Sequence, residues 1–336
     1  MVIIGINVDP AHWNDLDALG GRMRADGFTW VRTVLKSGLE GFLDACEEHG
    51  LKVLGVVARE SLQGSSFDET ADFYANLYGD RISAWEIGNE WDHVSGSSWD
   101  LPGGEVTRLG EAFRSVLPQG LLILGGQVSG DPNYLEDVDL SIFDGDALHP
   151  YGQRPAEWDD THWGFGWARD LVTAYIVEID ADNGLPPALP IWITEYGATL
   201  TECRTPKRRG VYYLEMLRTL IETPGVCAVF PFKYEDTGVP GFGLLDADGN
   251  ETPALTMIRD FLREIEIHPE EIKTVGQTLE QFIKTHEATL GKVWVKPKKG
   301  ATGRYAITDE HYLVEYRDDT GTTWVTPLRQ DSGFFV

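Results

Sequence analysis

Cysteine is scarce and badly placed for either bridging or metal binding. The three, Cys46, Cys203 and Cys227, are odd in number and far apart, with no Cys-x-x-Cys or Cys/His cluster of ligand spacing. Neither a disulfide framework nor a zinc site is expected. Long apolar runs are missing too: no stretch of 18 residues reads as a membrane span. Glycine is plentiful but never in phosphate-cradling order, since Gly5-Ile6-Asn7 and Gly125-Gly126-Gln127 lack the G-x-G-x-x-G spacing and no P-loop lysine motif occurs. That argues against an open, doubly wound nucleotide-binding sheet. Positive charge is the last shortage, with 28 Lys and Arg against 54 Asp and Glu, a net charge of -26 and a pI near 4.6. Nucleic acid or an anionic membrane would be repelled over most of such a surface, so a neutral partner is expected. Met1 to Asn7 carries no basic leader or small-residue cleavage site. The chain is therefore expected to stay inside the cell, or to be exported by a route its sequence does not show.

What the sequence does contain is alternation. Short β-branched runs take turns with longer segments of helical period, the pattern of βα units around a parallel sheet. Eight strands are predicted: Val2 to Val8, Thr29 to Val34, Leu51 to Val57, Ile82 to Ile87, Leu121 to Gly125, Asp146 to His149, Ile191 to Glu195 and Cys227 to Tyr234. Helices are expected over Leu39 to His49 and Phe67 to Tyr78, closed by Gly50 and Gly79 as C′ residues. Others are expected over Glu105 to Val116, Trp167 to Asn183, Lys207 to Ile221 and Pro253 to Glu266, while Asn133 to Phe143 offers at most a short helix. Eight such units over residues 1–266 match a (β/α)8 TIM barrel of the α/β class. From 267 to 336 the texture changes to a polar, partly helical stretch and then three or four short strands, with Asp319-Thr320-Gly321 as a hairpin signal. A small β-rich appendage of this size is marginal alone, so it is expected to lean on the barrel or to serve in attachment or oligomerisation.

In a barrel the reactive face lies at the C-terminal strand ends. Read there, the chain delivers Asn7 and Asp9 after strand 1, Arg32 on strand 2, and Asn89 and Glu90 after strand 4. Gln127 follows on strand 5, His149 and Tyr151 after strand 6, Glu195 and Tyr196 after strand 7, and Lys233, Tyr234 and Glu235 after strand 8. Glu90 and Glu195 stand out because each ends a strongly apolar, tryptophan-containing strand, where a carboxylate is costly without a task. Two carboxylates facing each other across a pocket are the equipment for cleaving an acetal.

The Asn89-Glu90 pair, Trp192-Ile193-Thr194-Glu195-Tyr196-Gly197 and His149-Pro150-Tyr151 together make the chain resemble clan A glycoside hydrolases, above all the family 5 and family 39 type of β-glycosidase. The resemblance covers residues 1 to about 266. It implies Glu90 as acid/base and Glu195 as nucleophile of a retaining double displacement, with no metal or cofactor. It implies further that Asn89 bonds the sugar 2-OH, that Arg32 lies beneath Glu195, that Tyr151 donates to Glu195, and that His149 touches the substrate or the acid/base. One departure stands out: the clan places a tryptophan at the end of strand 8 as the floor of the cleaved sugar's subsite, whereas this chain reads Phe230-Pro231-Phe232-Lys233-Tyr234. Either Phe232 or Tyr234 is expected to substitute, or a loop to supply the floor.

The segment after strand 6 is aromatic, with Tyr151, Trp158, Trp163, Phe165 and Trp167, and Trp91 follows strand 4. Flat rings suit the apolar faces of pyranose units. Trp163 and Trp91 are therefore expected to line a long cleft for a neutral β-linked oligo- or polysaccharide, cut in endo fashion. Two rivals remain open at this point: a non-catalytic carbohydrate-binding or virion-type structural protein, and a transglycosidase.

Overall fold

Strands buried on both faces need apolar residues on both, which is why the barrel strands read as near-continuous Val, Ile and Leu. The computed structural model describes residues 2–64, 66–92, 101–128, 132–151, 172, 189–223, 225–267, 293–299, 304–308, 311–317 and 323–329. Its parallel strands are β1 (Ile3–Asn7), β2 (Trp30–Val34), β3 (Lys52–Val57), β4 (Ala84–Ile87), β5 (Leu122–Gln127), β6 (Gly145–Leu148), β7 (Ile191–Tyr196) and β8 (Val226–Pro231). Each pairs with the next, and β8 pairs back onto β1 through Ile3↔Ala228 and Ile4↔Val229, closing an eight-stranded barrel. The (β/α)8 expectation holds.

Around it lie α1 (Leu16–Ala25), α2 (Glu40–Glu48), α3 (Phe67–Tyr78), α4 (Gly103–Val116), the short α5 (Leu200–Cys203), α6 (Pro206–Glu222) and α7 (Pro253–Ile267). Their starts are written locally. Asp15 caps α1 through the Ala18 N–H, Ser66 and Glu69 form a capping box on α3, and Thr205 precedes Pro206 at the first turn of α6. The fifth crossover is as thin as expected, with two 3-10 turns at Pro132–Leu135 and Leu140–Ile142. Gly50 closes α2 in the left-handed region at φ 64°. Gly79 keeps helical angles instead; a Cβ there would stand 2.4 Å from the Ala75 carbonyl oxygen, so close packing rather than backbone handedness selects it.

The period-2 alternation of each strand sorts two cores. Outward residues such as Ile4, Val31, Val53, Trp85, Ile87 and Ile193 pack under the helices. Inward residues Trp30, Leu54, Ala84, Ile123, Ala147, Trp192, Ala228 and Phe230 form a separate apolar plug. Within it Trp192 stacks on Phe230 at 6.3 Å and meets Trp30 edge-on at 5.8 Å. Gly5 on β1 makes room for the plug, since a Cβ there would fall 2.1 Å from the Phe230 ring.

The chain forms two compact units, Met1–Leu262 and Arg263–Val336. The second contains a four-stranded antiparallel sheet of β9 (Val293–Lys299), β10 (Arg304–Thr308), β11 (His311–Arg317) and β12 (Thr323–Arg329), in the order β12-β11-β10-β9. The expected helix over Trp167 to Asn183 and the polar stretch after 267 lie outside the described residues, Val172 apart. No helix among the described residues is long and apolar enough to cross a membrane.

Candidate active site

Two residues further along the same inward faces, the plug gives way to polar side chains: Trp30 is followed by Arg32, Ala84 by Glu86, Trp192 by Thr194 and Gly5 by Asn7. Arg32 sits at their centre and uses all five N–H donors. Nε and Nη2 bond the two oxygens of Glu86 at 2.6 and 2.9 Å, and Nη2 also donates to Asn89 Oδ1 at 2.6 Å. Nη1 donates to Asn7 Oδ1 at 2.8 Å and to Glu195 Oε1 at 2.5 Å. Burial by itself would lower the guanidinium's pKa, but Glu86 and Glu195 more than offset that and raise it. Glu86, fully buried, also accepts from the Gly126 N–H and the Thr194 hydroxyl, both at 3.0 Å. Asn7 Nδ2 in turn donates to the carbonyls of Thr194 at 2.9 Å and Pro231 at 3.2 Å, tying β1 to β7 and β8.

Above this layer stand the two glutamates. Glu195 is 7% exposed, and its second oxygen accepts the Tyr151 hydroxyl. Burial first, and then the Glu195 charge, push the Tyr151 phenol well above its usual range, so it stays a donor. The Tyr151 ring stands edge-on to His149, Phe232 and Phe242, and its carbonyl accepts from Tyr212 at 2.7 Å. Glu90 follows Gly88 at φ 89° and itself adopts φ 48°, a left-handed conformation that a non-glycine residue holds at a cost of about 1–3 kcal/mol. Its N–H is fixed on the Gly126 carbonyl at 2.7 Å. Such a position marks a site where geometry outranks comfort.

His149 joins the two halves. Its Nδ1 lies 3.1 Å from Glu90 Oε1 and 3.9 Å from Glu195 Oε2, while Nε2 lies 3.0 Å from the Thr194 hydroxyl. Thr194 donates to Glu86, so its oxygen accepts from Nε2–H, which leaves Nδ1 to share a proton with Glu90. Burial lowers the imidazole's pKa, but Glu195 and Glu90 outweigh it and the result is raised. Gly126 makes the ring position feasible, because a Cβ there would meet Nε2 at 2.0 Å. One ligand atom each from Glu90, His149 and Glu195 lie within 4.8 Å of one another. That trio is near enough for one cation, though Arg32, Tyr151 and Thr194 already engage Glu195 and His149.

The structure thus brings Arg32, Asn89, Glu90, His149, Tyr151 and Glu195 together. Among the described residues the only hydrogen bond of the Asn89 side chain is the one it accepts from Arg32, so its Nδ2 keeps both donors. Gln127 is buried in the wall at the end of β5, its carbonyl bonded to the His149 N–H at 2.8 Å. Phe232 is half-buried against Tyr151 and Phe242. Two expectations need correction. Trp91 is a core residue, 2% exposed, whose indole N–H donates to the Gly125 carbonyl at 3.0 Å; it lines no cleft. Tyr234 points outward into the helix layer, packing on Trp13 and Phe28 with its hydroxyl on Asp26 at 2.7 Å, so it cannot serve as floor. Trp163 lies outside the described residues.

Three contributors escaped sequence reasoning: Glu86, Thr194 and Phe242. Glu86 had a signal, since a charge between outward Trp85 and Ile87 in a short buried strand has to point into the barrel. Phe242 had none, sitting in a loop far from any strand end.

No family model matches the chain, and no curated protein sequence matches it. Solved structures do. A family 39 glycoside hydrolase from the gut symbiont Bacteroides cellulosilyticus WH2 is similar at TM-score 0.58 and 18% identity, over 97% of this chain and 78% of that one. A GH5_18 protein from Streptomyces cattleya, in complex with GlcNAc, is similar at TM-score 0.60 and 16% identity, over 80% of this chain and 81% of that one. A GH5_18 variant from Bifidobacterium longum subsp. longum, in complex with Manb1-4GlcNAc, reaches TM-score 0.63 at 13% identity, over 80% and 79%. The chain shares the (β/α)8 fold of these clan A glycoside hydrolases.

Proposed function

We propose that the chain is a retaining β-glycoside hydrolase acting on a neutral β-linked oligo- or polysaccharide, in endo fashion, with Glu195 as nucleophile and Glu90 as acid/base. The observation that carries this reading is the approach of the two carboxylates, whose oxygens come within 4.8 Å in contrasting surroundings. Direct attack requires carboxyl groups roughly 5 to 5.5 Å apart, whereas an intervening water needs roughly 6.5 to 9.5 Å. Glu195 takes an N–H from Arg32 and an O–H from Tyr151, donors that hold its carboxylate in one orientation. Glu90 lies 3.1 Å from His149 Nδ1, and a proton shared across that contact is available to a leaving group.

In the first step Glu195 attacks the anomeric carbon while Glu90 gives its proton to the departing glycosidic oxygen, leaving a glycosyl ester on Glu195. In the second, Glu90 takes a proton from water, the resulting hydroxide attacks the same carbon from the vacated face, and the ester bond to Glu195 breaks. Two inversions give net retention. As the ester forms, negative charge leaves Glu195 and its hold on Arg32 weakens, but Glu86 keeps the guanidinium in place with two bonds of its own. The free Nδ2 donors of Asn89 suit a sugar hydroxyl beside the reacting carbon, a contact that strengthens as charge develops.

The chain's net charge of -26 supports a neutral sugar over an anionic one. Incubation with 2-deoxy-2-fluoro β-glycosides bearing activated leaving groups, followed by peptide mass mapping, tests the reading. A label on Glu195 is expected; a label on any other residue overturns the assignment.

A further inference from the structure

The exit of β8 holds a charged pair that the mechanism above leaves unused. Just past the end of β8, Tyr234 turns outward with its hydroxyl on Asp26, whereas its neighbours Lys233 and Glu235 go elsewhere, Lys233 Nζ over the Phe232 ring and Glu235 Oε1 onto the Asp9 N–H. Both are buried, at 7% and 4% exposure, yet Lys233 Nζ and Glu235 Oε1 stand 4.0 Å apart, too far for a hydrogen bond. Glu235 Oε1 is fixed by the Asp9 N–H at 3.0 Å, while Oε2 has no hydrogen-bond partner among the described residues. The Lys233 ammonium likewise meets no acceptor within bonding distance there. It lies 5.8 Å over the Phe232 ring, which packs on Phe242 at 5.4 Å and on Tyr151, the residue bonded to Glu195, at 6.3 Å. A buried ammonium without an acceptor is expensive, and so is a buried carboxylate oxygen without a donor.

We propose that Lys233 reads a hydroxyl of the sugar held next to Glu195, with Glu235 as the positioning residue that fixes and neutralises its ammonium. The inference rests on the glycosidase reading and deepens it by assigning the glycone subsite. The chemistry points to a neutral sugar: once Glu235 is ionised, above pH about 7, it and Lys233 sum to no charge, and Asp9 adds a negative one, offset by Lys36 at 3.0 Å. An anionic sugar would meet Glu235 as soon as it met Lys233. A flat aromatic floor accepts the apolar face of any pyranose. An ammonium distinguishes a hydroxyl from its absence, because losing the acceptor leaves the charge buried and unpaired. In this chain hydrogen bonding thus replaces stacking as the source of selectivity at the end of β8, with Phe232 supplying an apolar edge beside it.

The test is a cycle between protein and substrate variants. Rates are measured for the aryl β-glycoside that the wild-type chain cleaves fastest and for its monodeoxy analogues, in wild-type, K233M and E235Q proteins. One deoxygenation is expected to lower kcat/KM of the wild type roughly ten- to a hundredfold, the size of a hydrogen bond to a charged group. The same deoxygenation should change K233M by less than about threefold, with E235Q in between, while fluoroglycoside labelling of K233M stays at Glu195. If K233M does not fold, K233R keeps the charge but moves its donors, and should lose the discrimination as well. Turnover with unchanged discrimination in the variant, or a wild-type preference for a uronide over its neutral counterpart, overturns this inference alone. Neither turnover nor labelling in the wild type removes the glycosidase reading, and this inference falls with it.

Discussion

Arg32 on β2 donates to both oxygens of Glu86 on β4, at 2.6 and 2.9 Å, with both side chains inside the barrel. The same guanidinium holds Glu195, so one cation serves two carboxylates and only the second stands where a substrate can reach. Breaking a buried pair by neutralising one member costs about 3–5 kcal/mol. Glu86→Gln is therefore expected to lower the unfolding free energy by that order in urea denaturation. A wild-type midpoint in the variant would mean that the pair does not hold the barrel's interior together.

The proton shared by Glu90 and His149 belongs to the pair, whose titration is coupled. Because the imidazole's pKa is raised by Glu195 and Glu90 despite burial, the pair retains a proton to higher pH than either group would in water. Activity that needs this proton is lost as pH rises. In His149→Gln one of the two proton-holding sites is gone, so the basic limb of the kcat/KM profile on an aryl β-glycoside should move to lower pH. An unmoved limb would assign the acid function to Glu90 unaided.

Gly126 is squeezed between Glu86 and His149, its N–H on the former and its missing Cβ facing the ring of the latter. Gly126→Ala has to displace the imidazole by more than an ångström, and overpacking of this kind costs about 1–3 kcal/mol. The displaced ring also loses Glu90. Thermal unfolding and turnover measured side by side should both fall, turnover by more than tenfold; intact turnover would show that His149 can be repositioned without consequence.

Burial pushes Glu235 up to about 7 from an ordinary 4.5, against the lowering effects of the Asp9 N–H and Lys233. Between those two values the folded chain keeps a proton that the unfolded chain releases, so stability falls as pH rises through the window and stays lower above it. The gap corresponds to about 3 kcal/mol. Lys233, Asp9 and the Thr237 hydroxyl are the groups that face it. Urea midpoints at pH 5 and pH 8 should differ less in Glu235→Gln than in the wild type. Equal differences would mean that Glu235 ionises freely in the fold.

The strands were legible because a closed parallel barrel demands apolar residues on both faces, and their exits pointed to Arg32, Asn89, Glu90, His149, Tyr151 and Glu195. Boundaries were less so: the last strand ends at Pro231 instead of Tyr234. α1 left little trace, because Gly20 and Gly21 sit in its middle and lower its propensity. The reason is tertiary, since a Cβ on Gly20 would meet the His49 ring at 2.9 Å and the Ala45 carbonyl at 3.1 Å on α2. Side-chain direction was the hardest to read. Trp91 and Tyr234 belong to strand exits by position, yet both turn into the core, and nothing local distinguishes an aromatic ring that lines a cleft from one that fills a wall.

The apolar plug of Trp30, Trp192 and Phe230 makes the barrel a vessel with a single opening. On the glycosidase reading, a glycan cannot thread through it: a chain either stops above Arg32 or lies across the rim. On that reading the choice between chain ends and chain middles falls to the loops around the rim, leaving the barrel itself free to keep one chemistry while those loops change.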